Sequence, residues 1–199
     1  MADSPSRVAA ADDLDAVAET LALAFRPDPV WGWAFPDPHR GLDQLRAVWR
    51  FFVSSALDSG WVWLTEGCTA AAVWIPPDRE ELRPEEEEPL RRLLEAQLGD
   101  GAARVLDTQE RFDAAHPHGE PHYHLTMLGT HPDHRGRGFG MALLAETLDR
   151  IDAEGAPAFL ESTNPANERR YEGVGFRRYG AFELGEGGPE VTQMWRDPR

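Results

Sequence analysis

Lysine is missing from this chain of 199 residues: all 20 cationic side chains are arginine. That absence excludes a phosphate-binding Walker lysine and any Schiff-base lysine. A single cysteine, Cys68, leaves no internal disulfide and no multi-cysteine zinc site. No apolar run reaches the roughly 18 residues that a bilayer span needs, and Met1 to Arg7 lacks a charged-then-apolar leader pattern. No membrane partner and a cytoplasmic location are therefore expected. Positive charge is scarce as well, since 35 acidic residues against 20 arginines give a net charge of −15. Nucleic acid is thus not an expected partner, whereas an amine or other cation is. What is present suffices for a core: 41% of residues are hydrophobic, with 7 Trp and 9 Phe. One folded domain spanning residues 1–199 is expected.

Periodicity and punctuation place the elements. Arg7 to Ala10 reads as a short strand, and Ala11 to Phe25 as a helix with Leu14, Val17, Leu21 and Phe25 at helical spacing. Arg26 to Arg40, with four prolines and the aromatics Trp31, Trp33 and Phe35, reads as a structured loop with room for a helical turn. Leu42 to Leu57 is again helical. Strands Trp61–Thr65 and Thr69–Ile75 follow, stopped by Pro76 and Pro77. The acidic stretch from Asp78 to Glu88 reads as a solvated linker entering a helix at Leu90–Leu98, with another helix at Ala102–Phe112. In the second half, strand His122–Leu128, helix Met141–Ala153, strand Pro157–Glu161, a short helix Pro165–Gly173, and strands Phe176–Leu184 and Val191–Trp195 complete a mixed α/β pattern.

The most informative stretch is the loop His131-Pro132-Asp133-His134-Arg135-Gly136-Arg137-Gly138-Phe139-Gly140, between a strand and a helix. Glycines let successive amides point at a ligand, and the following helix N-terminus favours an anion such as a pyrophosphate. Arg135 and Arg137 make this a positive island in a negative chain. A Gly/Arg-rich surface turn is the plainer reading. A dinucleotide fold also places a glycine loop after a strand, with an acid about 20 residues on, near Glu161. Its G-x-G-x-x-G register fails, because Met141 or Leu143 stands where the third glycine belongs.

The loop resembles the R/Q-x-x-G-x-G/A signature of the GNAT acetyltransferases, with Arg135, Gly138 and Gly140 in the defining positions. A second block, Phe159-Leu160-Glu161 through Asn167 to Tyr171 and Gly175-Phe176, resembles the late strand, asparagine and helix tyrosine of the same family. The resemblance implies a mixed α/β (α+β) fold, with a central, mostly antiparallel sheet splayed at the cofactor and flanked by helices. It implies acetyl-CoA as cofactor. A bulged strand around Leu128, Gly129 and Thr130 would hold the pantetheine arm. Amides from Arg135 through Gly136, Arg137, Gly138, Phe139 and Gly140 to Met141 would hold the pyrophosphate. Asn167 and Tyr171, four residues apart, would face the same arm, and Tyr171 would meet the departing thiolate. The implied activity is direct acetyl transfer to the primary amine of a small molecule, such as an amine-bearing antibiotic or an arylalkylamine, by a monomer or homodimer. A protein or peptide N-acetyltransferase and a non-catalytic acyl-CoA-binding module are the alternatives.

Six of the seven histidines lie between His116 and His134. His122 and His124 share one face of a strand by their i, i+2 spacing. An attacking amine must lose a proton, and a histidine near neutrality can take it. His124 stands eleven residues before Arg135, where histone acetyltransferases of this fold carry a glutamate base and arylalkylamine N-acetyltransferases a similar His-x-His. Glu161 is the rival base or an amine anchor, a water chain is a further route, and packed structural histidines remain an alternative. His116 and His118, in a Pro/Gly loop, are expected to be exposed. No convergent cysteine or H-E-x-x-H pattern completes a metal set, so no metal is expected. Trp31, Trp33, Phe35 and Trp74 are candidate walls of an acceptor site, since aromatic faces attract ammonium groups, whereas the spacing of Trp49 points to core. Cys68 reads as a buried thiol rather than a nucleophile.

Overall fold

A computed structural model describes residues 6–35 and 41–199. The Arg26–Arg40 segment is thus seen only as far as Phe35, and its remainder lies outside the described residues. Seven strands form one sheet: β1 Ser6–Val8, β2 Val62–Thr65, β3 Ala70–Ile75, β4 Tyr123–Thr130, β5 Ala158–Ser162, β6 Arg177–Glu183 and β7 Glu190–Arg196. Their spatial order is β1-β2-β3-β4-β5-β7-β6. Every neighbouring pair is antiparallel except the central pair β4–β5, which is parallel.

The core explains why β3 is apolar throughout. In a strand, alternate side chains face opposite ways. Ala71, Val73 and Ile75 pack on one face of the sheet, beneath helices α1 Leu14–Phe25, α3 Gly41–Ala56, α4 Pro84–Leu98 and α5 Ala102–Ala115. Ala70, Ala72 and Trp74 pack on the other, beneath α6 Phe139–Ala153. Both faces are covered, so all six residues of β3 are buried. The facing helices supply matching stripes: Leu45, Val48, Trp49, Phe52, Val53 and Ala56 on α3, and Leu143, Leu144, Thr147, Leu148 and Ile151 on α6.

Several boundaries differ from expectation for identifiable local reasons. The aromatic segment holds a short helix, α2 Pro29–Ala34, because Asp28 accepts hydrogen bonds from the amides of Val30 and Trp31 and Pro29 occupies the first helical position. Helix α4 begins at Pro84, ahead of the expected Leu90, and turns the Glu85–Glu87 run into its first helical turn, where carboxylates suit the helix dipole. The Glu86 carboxylate accepts from the Arg83 amide at 3.0 Å and closes the cap. The last strand is anchored by Arg196, whose guanidinium makes two 2.6 Å bonds to Asp152 at the end of α6. A short helix, α7 Glu168–Gly173, follows β5. No helix among the described residues is long and apolar enough to cross a membrane.

Candidate active site

The parallel strands β4 and β5 pair only over Tyr123–Leu125 and Ala158–Leu160, and then diverge. Beside this divergence, β4 carries one extra residue, Thr126, between the partners of Val73 and Trp74 on β3. A bulge of this kind bends the strand and breaks its pairing. It sits nearer the strand's middle than the expected Leu128–Thr130. The opening leads into a cavity of about 890 Å³, to which Thr126, Met127 and Leu128 contribute walls. Gly129 and Thr130 serve packing. A Cβ on Gly129 would lie 2.9 Å from the Ala24 Cβ of α1, and one on Gly140 would lie 2.5 Å from Thr130 Oγ1. Glycine at 129 and 140 thus lets α1 and the start of α6 close onto β4.

The glycine loop ends at α6 as the sequence implies. Gly136 (φ 76°) and Gly138 (φ 84°) occupy left-handed conformations, with Gly138 capping the helix. The first intrahelical bond runs from Ala142 N–H to Gly138 O at 2.9 Å. The amides of Phe139, Gly140 and Met141 therefore have no acceptor one turn back. The side chains of Phe139 and Met141 pack against the α6 core, which leaves the backbone to face a ligand. Arg137 is exposed. Arg135 is also exposed, but its guanidinium donates to the Ala24 carbonyl at the end of α1 at 2.9 Å, tying the loop to that helix. Free first-turn amides, two left-handed glycines and an exposed arginine suit a pyrophosphate, and the strand divergence suits an extended arm. The loop and the divergence therefore fit coenzyme A.

The histidines converge on β5. His124 and Phe159 are partners across β4–β5, so Glu161, two residues further on the same face, reaches His124. His124 Nε2 lies 2.6 Å from Glu161 Oε2. Burial works against charge on His124, but Glu161, with Glu81 and Asp113 behind it, outweighs burial and raises its pKa above the ordinary value. His122 differs. Its Nδ1–H donates to the Glu120 carbonyl at 2.7 Å, and its ring packs 4.9 Å from Trp195, with burial holding it neutral. His122 thus wedges β4 against β7 and does not touch Glu161.

His116 departs from expectation. It is half-buried, its ring 5.0 Å from His122 and 4.8 Å from His124, and its Nδ1 lies 4.0 Å from Glu161 Oε1. Burial, then the neighbouring histidines, push its pKa down to about 3. The Pro-Gly loop that looked solvated is folded back onto the sheet, although His118 is exposed. Glu81 is also relocated, from supposed linker to cavity wall. Burial and then Glu161 and Asp113 push its carboxyl up to about 7, with the His124 charge opposing.

On the opposite wall, Tyr171 and Asn167 both border the cavity. Burial, reinforced by Asp28, pushes the Tyr171 phenol up to about 12, so it keeps its proton. Asn167 Oδ1 accepts from Arg170 at 2.9 Å. Asp28 itself accepts from Thr163 Oγ1 at 2.8 Å, which ties α2 to the end of β5. Of the expected aromatic walls, only Trp31 borders the cavity. Trp33 packs aside, under Arg104, and Phe35 is buried against Trp31 and Trp49. Trp74 is wholly buried under α6, its indole N–H donating to Thr147 Oγ1 at 3.2 Å. It lies on the sheet face away from Ile75 because strand side chains alternate. Trp49, expected in the core, is buried there and also reaches the cavity edge. Cys68 is a buried thiol, and burial pushes its pKa up and so disfavours the reactive thiolate.

The sequence reading missed His116, Glu81, Asp113 and Asp28. Asp28-Pro29 carried a helix-start signal; the other three carried none, because tertiary folding brings them to the site.

The family model of the acetyltransferase (GNAT) family matches residues 19–176. The chain belongs to this family and is an acetyltransferase, and members of the family draw the acetyl group from acetyl-CoA. Among solved structures, it is similar to a "histone acetyltransferase HPA2 and related acetyltransferase" from Corynebacterium glutamicum, with a TM-score of 0.73 and 24% identity over 98% of this chain and 97% of that one. A Drosophila melanogaster polyamine N-acetyltransferase, which forms N-acetylagmatine, superposes with a TM-score of 0.65 at 18% identity, over 98% of this chain and 100% of that one. Arylalkylamine N-acetyltransferase 2 from Aedes aegypti superposes with a TM-score of 0.62 at 13% identity, over 99% and 100%. At these identities the likeness establishes the shared fold.

Proposed function

We propose that this enzyme acetylates the primary amine of a small cationic molecule by direct transfer from acetyl-CoA, without an acyl-enzyme. The observation that carries the reading is the acidic wall around His124, where Glu161 and Glu81 meet in the cavity next to the strand divergence. An ammonium group is drawn to these carboxylates, and the His124–Glu161 pair takes its proton. With Nε2 engaged by Glu161, His124 Nδ1 is the ring nitrogen left for this task. Coenzyme A, when bound, supplies the acetyl group as a thioester. The chain holds its pyrophosphate through the amides of residues 136–141, and a β4 amide near Leu128–Thr130 polarises the carbonyl. Tyr171, kept protonated, offers its phenol to the departing sulfur.

Among acceptors, the chain resembles puromycin N-acetyltransferase in its Ala72-Val73-Trp74 strand and its Pro157-Ala158-Phe159-Leu160-Glu161 segment. An amine-bearing antibiotic is therefore one candidate. The similar structures add polyamines, agmatine and arylalkylamines. The test is thiol release from acetyl-CoA with an aminonucleoside, an arylalkylamine, agmatine, spermidine and a peptide as acceptors. Release with one or more of the small amines and not with the peptide is expected. Release with the peptide alone overturns the small-molecule reading, and coenzyme binding without any release overturns the enzymatic one.

A further inference from the structure

We propose that His116, His124 and Glu161 form a binding site for a divalent transition metal of the zinc type, and that its occupation blocks the amine site. The three side chains come from three separate segments: the loop after α5, strand β4 and strand β5. Their ligand atoms nevertheless all lie within 4.8 Å of one another. Two imidazole nitrogens and one carboxylate are a zinc-type donor set that leaves a position open to water. Tetrahedral zinc with bonds of about 2.0–2.1 Å sets its donor atoms about 3.3 Å apart. His124 Nε2 lies 2.6 Å from Glu161 Oε2 and His116 Nδ1 lies 4.0 Å from Glu161 Oε1. The two nitrogens face different oxygens of one carboxylate, so binding a metal requires that carboxylate and the two rings to re-orient around it.

A second observation points the same way. The Glu161 side chain is only 4% exposed, and its Oε1 has no hydrogen-bond partner among the described residues. A buried carboxylate oxygen without a donor is costly. This one faces the Nδ1 of His116 at 4.0 Å, beyond hydrogen-bond reach. The metal would take the place of the proton shared between His124 and Glu161, so acid would release it.

Metal binding stands on this geometry alone, whereas its inhibitory effect rests on the amine-site reading proposed above. The full chain is titrated with ZnCl2 by calorimetry in a non-chelating buffer, beside His116→Ala, His118→Ala and Glu161→Gln. One zinc per chain is expected, weakened at least about tenfold in His116→Ala and Glu161→Gln and unchanged in His118→Ala. Loss in His118→Ala equal to that in His116→Ala would assign the metal to the surface His116-Pro117-His118 pair and overturn the site, as would unchanged binding in His116→Ala. In the thiol-release assay, zinc should compete with the amine and not with acetyl-CoA. EDTA should restore the rate, and whatever rate His116→Ala retains should resist inhibition by zinc. Stoichiometric binding without inhibition overturns the blocking step and, separately, the placing of the amine beside His124.

Discussion

At the scale of single residues, the mechanism proposed above places the acid side of the rate profile on the contest between burial and charge at His124. Burial alone would lower its pKa; Glu161, at 2.6 Å, together with Glu81 and Asp113, reverses the sign. The proton-accepting form therefore fills only above the ordinary histidine value of about 6.5, and kcat/KM should rise through an apparent pKa above that. In Glu161→Gln the main raising charge is gone and burial remains. Its acid limb should move to lower pH, measured as kcat/KM from about pH 5 to 10. An unmoved limb would assign the titration to another group, Glu81 first among them. His124 was legible because it stands in a strand at a fixed distance before a recognisable loop, and Tyr171 because it follows Asn167 in a matching block. Glu81 and His116 were not. A glutamate in an acidic run and a histidine leading into a Pro-His-Gly loop look solvated until β5 and α5 close around them.

At the scale of elements, the site depends on how tightly α1 lies on β4. Gly129 permits that approach, and the obstacle to any larger residue is the Ala24 Cβ, fixed to a helix backbone and unable to rotate away. Gly129→Ala should therefore force α1 off the sheet and cost about 1–3 kcal/mol, the usual range for overpacking, read as a lower urea midpoint. Stability equal to the parent would show that α1 shifts freely. Trp74 shows a limit of pattern reading. Thr69–Ile75 reads as a strand, but an unbroken apolar run does not say which residues face which way. The depth of the bulge at Thr126 had no sequence signal either, since a bulge reflects the pairing of two strands rather than either one alone. The α2 helix was readable in principle, from Asp28 as cap and Pro29 at the first turn, within a segment dominated by prolines and aromatics.

At the scale of the whole molecule, a net charge of −15 should act with opposite sign on acetyl-CoA and on the cationic amine proposed above. Acetyl-CoA is a polyanion and reaches a chain that repels it, relieved locally by the α6 amides and by exposed arginines at 135 and 137. A cationic amine is attracted, and the acidic cavity wall concentrates that attraction. Salt shortens the reach of both effects, from about 30 Å at 0.01 M to about 3 Å at 1 M. Raising ionic strength should therefore lower kcat/KM for a cationic amine and raise kcat/KM for acetyl-CoA. The two slopes come from one preparation, so a general effect of salt on folding or on the assay would move both the same way. Opposite slopes would tie the acidity of the chain to acceptor capture. Parallel slopes would mean that the fields felt at the two entrances are not those of the whole molecule. Slopes of zero would leave the acidic surface without a part in substrate encounter, and would confine the electrostatics of the site to the few carboxylates around His124.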